Sequence, residues 1–289
     1  MSSNQESVAV NKLNYGYGGP LILKDLSLHL TAGSRCILVG ANGTGKTTLL
    51  RILAGKRMVE GDVRVLGKSA FIDGPANVTY LGTEWANNPV VRADLTVEYL
   101  LKSMGSNRWP ERTKTLLDVL EVDTTWRLHQ VSDGQRRRVQ LVMGLLHPWK
   151  LLLLDEVTVD LDVWIRAEFL SFLKRETEER GATIIYATHI FDGLGEWPTH
   201  LAHVNEGTIL SLNQMNDFKE LEEIKAYYRE HQLLDSPLMG LCYRWLRQDK
   251  MVRKSELPID PATGLPHTRW DDLSEEMKKY GDKYYNYWK

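Results

Sequence analysis

Cysteine is nearly absent from this sequence: Cys36 and Cys242 are the two it has, far apart and in no Cys-x-x-Cys or Cys/His metal spacing. Free thiols in a reducing compartment are expected, rather than a disulfide framework or a zinc module. Long apolar runs are missing too. No window offers the roughly 18 uninterrupted apolar residues of a membrane helix; the nearest, Val139 to Leu154, is broken by His147, Pro148 and Lys150. Met1 to Ser7 is polar, without the apolar region of a secretion signal. An excess of either charge is also lacking: 36 lysines and arginines stand against 38 acidic residues, a net charge of -2. Whole-molecule attraction to nucleic acid or to an anionic membrane is therefore not expected. Together these absences predict a soluble, intracellular protein of the cytoplasm, with the nucleus also open to it.

What the chain does have is an ordinary globular composition over 289 residues, 43% hydrophobic and 26% charged, enough for about two domains and a sizeable core. Val8 to Leu13 alternates loosely as a strand, and Leu26, Leu28 and Leu30 alternate as in a half-buried one. Cys36–Val39, Leu151–Leu154 and Thr183–Ala187 are short apolar runs suited to buried central strands. Helical stretches separate them, so the pattern predicts an α/β core with parallel strands. Leu95–Leu101, Glu111–Leu120 (opened by Pro110) and Gln135–Leu146 read as helices of an insertion at about 85–148. In the last of them Val139, Val142, Met143 and Leu146 share one face, and Pro148 stops the helix. A first domain over 8–213 is expected, followed by a mostly helical extension over 214–289. That extension ends in Tyr280, Tyr284, Tyr285, Tyr287 and Trp288, rings that bury against their own domain or against a partner.

Gly40-Ala-Asn42-Gly43-Thr44-Gly45-Lys46-Thr47-Thr48 has the glycines, lysine and hydroxyl residue of a phosphate loop, placed after a buried strand and before a helix. Glycines let successive backbone N–H groups point at an anion, and the following helix adds its positive end. Lys46 can reach the β- and γ-phosphates, and the Thr47 hydroxyl can bind Mg²⁺. The apolar strand Leu151–Leu154 ends in Asp155 and Glu156, placing Asp155 where a magnesium shell is needed and Glu156 where it can orient or deprotonate water. Val131-Ser132-Asp133-Gly134-Gln135 opens a helix, as a well-capped turn or an anion site. His189 follows the third buried strand, where a structural role and a catalytic one are both open.

The order of these motifs resembles the nucleotide-binding domain of ABC ATPases over about residues 8 to 211. The resemblance implies a P-loop fold with a mainly parallel core sheet, an antiparallel β subdomain, a helical signature subdomain and a C-terminal helical extension. It implies ATP and Mg²⁺ as ligands, with Gly40, Asn42, Gly43, Thr44, Gly45, Lys46, Thr47 and Thr48 around the phosphates and Thr47 and Asp155 on the metal. Tyr17 is similar to the aromatic that stacks on adenine. Glu156, His189 and Lys46 correspond to the catalytic groups, and Asp162 to the inter-subunit aspartate. Ser132, Gly134 and Gln135 resemble the signature that closes on the γ-phosphate of the opposite subunit, so a homodimer is implied. Tyr80-Leu-Gly-Thr-Glu-Trp85 and Tyr186-Ala-Thr-His-Ile-Phe-Asp-Gly193 further resemble a transporter-less class I subfamily of fungi, plants and other eukaryotes. Its fungal representative is associated by name with the CCR4–NOT transcription and mRNA-deadenylation complex.

Two departures from the family pattern stand out. Asp133 occupies a signature position where glycine is usual, and no glutamine occurs in Val78–Trp85, where Thr83 or Glu84 stands as a substitute for the metal role or neither touches it. The expected function is an ATPase whose dimer closes and opens as a switch in a regulatory complex. The alternatives are the ATPase subunit of a transporter with a separate membrane protein, and an ATP-binding scaffold without turnover. Direct nucleic-acid binding is not expected, since Arg136–Arg138, the one dense basic run, reads as a solvated helix face.

Overall fold

Alternation decides the first strands. In Leu23–Thr31 (β2), Leu23, Leu26, Leu28 and Leu30 turn inward, and Glu6–Tyr15 (β1) buries Val8, Val10 and Leu13. These features come from a computed structural model of the chain that describes residues 6–72, 77–82, 94–233 and 235–255. The short apolar runs behave differently: every residue of Arg35–Val39 (β3) is buried. β1 and β2 join Asp62–Val65 (β4) and Lys68–Ser69 (β5) in an antiparallel sheet of order β2-β1-β4-β5.

The second sheet is built on β3. Leu151–Asp155 (β7) and Thr183–Ala187 (β8) are likewise buried throughout, as strands covered on both faces must be. With Val78–Leu81 (β6), His200–Asn205 (β9) and Thr208–Gln214 (β10) they make a six-stranded sheet of order β10-β9-β3-β8-β7-β6. All neighbours run parallel except β10, which turns back on β9. Between the sheets lies Lys46–Leu53 (α1), whose Leu49, Leu50, Ile52 and Leu53 share one core with Val63 and Val65 on one side and Leu151, Leu153 and Ile185 on the other. This is the α/β arrangement expected, with its antiparallel subdomain.

The three helices expected between 95 and 146 are present, with shifted ends. Val97–Ser103 (α2) starts two residues later than Leu95, because the Thr96 side chain accepts from the Tyr99 N–H and acts as the cap. Pro110–Val119 (α3) has its proline at the first position. Asp133–Leu145 (α4) buries Val139, Val142 and Met143, and the following Leu146 is buried as well. Val163–Arg180 (α5) is capped by Asp162 and ended by Gly181 in the left-handed conformation. α3 is tied to α5 by Arg112, which bonds Glu176 at 2.8 Å with both side chains nearly buried, and to the end of α4 through the Leu145 carbonyl at 2.8 Å.

Lys219–Glu230 (α6) and Pro237–Ser255 (α7) follow the last strand. The chain divides into two compact units, Met1–Cys242 and Tyr243–Lys289. The terminal rings from Tyr280 onward lie outside the described residues. Among the described residues no helix is long and apolar enough to cross a membrane.

Arg136–Arg138 is not the solvated face its composition suggests. Arg137 is buried, and the side chains of Arg136 and Arg138 keep only 17% exposure. Arg138 lies over the Trp126 ring at 5.3 Å and donates to the Glu121 carbonyl at 3.2 Å, while Arg136 donates to the Val131 carbonyl at 3.0 Å. The guanidiniums bind carbonyls of the turn just before α4 and, for Arg137 and Arg138, of loops distant in sequence, which a periodicity argument cannot see.

Both cysteines are free and buried, and burial pushes each thiol up to about 12. At pH 8 the thiolate, which is the reactive form, is therefore a minor species. Ellman's reagent should find neither thiol in the native protein at that pH and both after denaturation.

Candidate functional site

β3 ends at Val39, and the chain turns at Gly40 into the loop that opens α1. Only a residue without a side chain fits at Gly40: a Cβ there would stand 2.2 Å from the Val204 carbonyl oxygen of β9. Gly45, just ahead of α1, has φ 98°, and a Cβ there would meet Leu23 at 2.5 Å. Both positions combine close approach with a tight turn, the conditions that demand glycine. No side chain caps the start of α1 and its first turn carries no acidic residue. The free N–H groups of that turn and the positive end of the helix thus face outward as an anion site.

Lys46 is buried in this loop, and its ammonium donates to the carbonyls of Gly40 at 2.6 Å and Ala41 at 2.9 Å. Burial lowers its pKa, while the nearby Glu156 and Asp155 carboxylates raise it. The Thr44 hydroxyl donates to the Ala41 carbonyl at 2.9 Å and so braces the same loop. Thr47 donates to Asp155 Oδ1 at 3.1 Å, and the Tyr80 hydroxyl donates to Oδ2 at 3.1 Å. Burial, together with the Asp155 charge, pushes Tyr80 up to about 12, so it stays a donor. Glu156 takes φ 54° and donates its N–H to the Ala187 carbonyl. A glutamate in the left-handed region is uncommon, and such strain collects at functional positions. Its carboxylate faces His189, with Nε2 at 3.4 Å from Oε1 and the His189 N–H at 3.4 Å from Oε2.

Asn42, Gly43, Gly45, Lys46, Thr47 and Thr48 from the loop and Asp155, Glu156 and His189 from the strand ends line one cavity of about 330 Å³, with Ile22 at its side. The donor set suits magnesium with a nucleotide. Thr47 and Asp155 supply hard oxygens side by side, and Mg²⁺ takes few protein ligands, completing its shell with phosphates and water. Among the described residues no cluster of three or more histidines, cysteines and carboxylates forms an all-protein cage.

Tyr17 is not in the wall of that cavity but is joined to it. Its half-exposed ring meets Tyr15 edge-on at 5.2 Å, and the Tyr15 carbonyl accepts from the N–H of Ile22 at 2.7 Å. The signature residues stand apart from the cavity altogether. Ser132 and Gln135 form a reciprocal capping box at the start of α4. Asp133, whose side chain is almost fully exposed, is paired with Arg136. Asp162 accepts from the Ile165 N–H at 3.0 Å at the start of α5. The two helix starts adjoin, since a Cβ on Gly134 would lie 3.3 Å from the Asp160 carbonyl. Thr83 and Glu84 lie outside the described residues.

The family model for ABC transporters matches residues 23–159, the stretch that holds the phosphate loop, the signature and the Asp155–Glu156 strand. ABC transporter I family member 20 of Arabidopsis thaliana is 44% identical over 277 residues, which cover 92% of this chain and 80% of that protein. The chain belongs to the ABC ATPase family. CCR4-associated factor 16 of Saccharomyces cerevisiae is 38% identical over 288 residues, covering 89% of this chain and 99% of that one. Among solved structures, a Clostridium perfringens cassette that is part of an ABC transporter complex superposes with a TM-score of 0.64 at 23% identity, over 82% of this chain and 98% of its own. A dimeric, post-hydrolysis cassette bound to ADP and Pi gives 0.62 at 20% identity, over 73% and 100%. Those two likenesses concern the fold alone. ABC ATPase domains bind ATP with Mg²⁺ and generally hydrolyse it, and ABC cassettes dimerise.

Two groups of this ABC ATPase have roles that no spacing marks. Tyr80 stands in the sequence only inside the Val78–Trp85 stretch; its contact with Asp155 depends on β6 lying beside β7 with Tyr80 opposite Leu153. Arg137 donates from α4 to the Gly82 carbonyl at 3.1 Å and the Val157 carbonyl at 3.3 Å. It thus joins the signature helix to the end of β6 and to the loop after Glu156. Burial lowers its pKa, offset by the charge of Asp160. Replacing Arg137 with methionine leaves those carbonyls unpaired in a buried place, so urea unfolding should show a loss of about 2–3 kcal/mol.

Proposed function

We propose that this protein hydrolyses ATP as a head-to-tail homodimer, and that its closing and opening is a conformational switch in a regulatory complex. The observation that carries this reading is the division of the chemistry within one chain. Lys46, Thr47, Asp155, Glu156 and His189 converge on one cavity, whereas Ser132, Gly134, Gln135 and Asp162 sit at two adjoining helix starts away from it. A phosphate site finished by a second copy uses both halves. The cassette is assigned to residues 8–213, with its helical insertion at about 85–148 and the extension at 214–289.

In this reading Lys46 gives up its loop carbonyls to donate to the β- and γ-phosphates, and the N–H groups of the loop and of the first turn of α1 hold the remaining oxygens. Thr47 and Asp155 would hold Mg²⁺, which when bound would supply charge neutralisation for the phosphates. Glu156 accepts a hydrogen bond from water and turns it in line with the γ-phosphorus; as the new P–O bond forms, the bond to the ADP oxygen breaks and the water proton passes to the carboxylate. His189 holds Glu156 through the contacts already described and reaches the γ-phosphate. Positioning and charge stabilisation carry most of the rate. Ser132 and the N–H groups near Gly134 of the second copy complete the phosphate shell, with Asp162 at the seam. The regulatory setting is supported by the name of the yeast relative, a CCR4-associated factor.

Glu156→Gln keeps the shape and removes the proton acceptor. Phosphate release should fall by about a hundredfold or more, and size-exclusion chromatography with ATP and Mg²⁺ should show a stable dimer. Turnover at the wild-type rate would refute the assignment.

A further inference from the structure

The residue just beyond the phosphate-loop helix points back at the place where a base would lie. Arg57 is exposed, and its guanidinium carbon stands 5.4 Å from the centre of the Tyr17 ring. We propose that Arg57 is the outer wall of the base site: a purine entering over Tyr17 displaces the guanidinium from the ring and is then covered by it, so that the base lies between phenol and guanidinium. The inference rests on reading the cavity as an ATP site and adds to that reading a residue which no sequence motif marks.

Three features support the assignment. Tyr17 is held in place on one side, with Tyr15 edge-on at 5.2 Å and 82°. It is also linked to the phosphate loop, because Ile22, bonded to the Tyr15 carbonyl, lines the cavity and lies against the start of α1, its own carbonyl oxygen 3.3 Å from where a Cβ of Gly45 would be. The base end of a nucleotide whose phosphates rest on that helix start therefore falls beside Tyr17.

Second, Arg57 comes off a fixed support. The turn that ends α1 is locked at Gly55, which has φ 69° and would bring a Cβ within 2.6 Å of the Ala70 carbonyl. The preceding residue, Lys56, places its ammonium 4.4 Å above the Tyr80 ring, the other aromatic of the site. Consecutive cations thus divide between the metal end and the base end. Third, the chemistry matches. A guanidinium is planar, permanently charged and weakly hydrated, so it stacks on π-faces. A neutral purine offers a wider π-face than the phenol it covers, so the guanidinium gains contact when it moves from Tyr17 onto the base.

The test separates the base from the phosphates. Calorimetric titration of the full chain with MgATP and, in parallel, with magnesium tripolyphosphate compares a ligand that has a base with one that has none. Arg57→Ala should bind MgATP about two-fold more weakly, since binding gains only the difference between the purine face and the phenol face, with tripolyphosphate affinity unchanged. Arg57→Lys, which keeps the charge without the plane, should fall between. Unchanged or tighter MgATP binding by Arg57→Ala would overturn the proposal, as would an equal loss for tripolyphosphate, which would make Arg57 a phosphate contact. Tyr17→Ala distinguishes the two levels of the argument. If it weakens MgATP and Arg57→Ala does not, the Arg57 wall alone fails; if neither matters, the base site itself is misplaced.

Discussion

Helix α1 is pinned between two sheets, and the position of each phosphate-facing group follows from that burial. Its apolar face has core on both sides, so it cannot slide along either sheet without exposing leucines that each contribute about 1.5–3 kcal/mol when buried. The loop ahead of it is therefore closed against a rigid element. Gly40 touches the Val204 carbonyl and Gly45 touches Leu23, one contact to each sheet. Between these two anchors the backbone must curl, and the curl is what directs its N–H groups and the Lys46 ammonium into one space. A preorganised electrostatic site of this kind needs no rearrangement when the anion arrives.

The carboxylates are placed by the same means from the other side. β7 lies between β6 and β8 in register, so Asp155 emerges where Tyr80 of β6 can reach it, and Glu156 emerges beside the chain leaving β8. Thr47 and Tyr80 bind the two oxygens of Asp155, fixing its plane from a helix and from a strand at once. Arg137 then links this edge to α4, so the signature helix is not a free appendage. A movement of α4 has to move or break hydrogen bonds to Gly82 and Val157. The linkage offers a physical route between the two halves of the proposed site.

The parts legible in the sequence are those whose physics is local. The glycines around Lys46 announce a turn too tight for side chains, and the unbroken leucines before Asp155 announce a strand covered on both faces; both were found where the pattern placed them. Ser132 is a recognisable cap for the same reason, whereas Asp162, singled out by the resemblance alone, shows its capping of α5 only in the structure. What stayed hidden depends on neighbours distant in sequence. The run Arg136–Arg138 looks like a hydrated patch until the carbonyls of Glu121, Gly82 and Val157 are seen beside it. Tyr80 and Arg57 have no spacing that marks them, because their roles come from strand order and from the exit direction of α1. Leu95 and Thr96 were read into a helix by apolar spacing, although the Thr96 hydroxyl competes for the backbone and ends the pattern there.

The aspartate in the signature can be weighed on the same grounds. A carboxylate close to a phosphate repels it, so an aspartate at position 133, where glycine is usual, bears on closure. In the folded chain its charge is paired with Arg136 one turn along, and it stands in the first turn of α4, where a negative charge interacts favourably with the helix dipole. Arg136 is itself held by the Val131 carbonyl, so the pair is drawn back along the helix side. The capping box meanwhile uses the Gln135 N–H, leaving the N–H groups of Asp133 and Gly134 without partners inside the helix. In the proposed closed dimer a phosphate would meet two backbone donors and an acid already paired with an arginine, an arrangement in which aspartate in place of glycine alters the local charge without removing the donors.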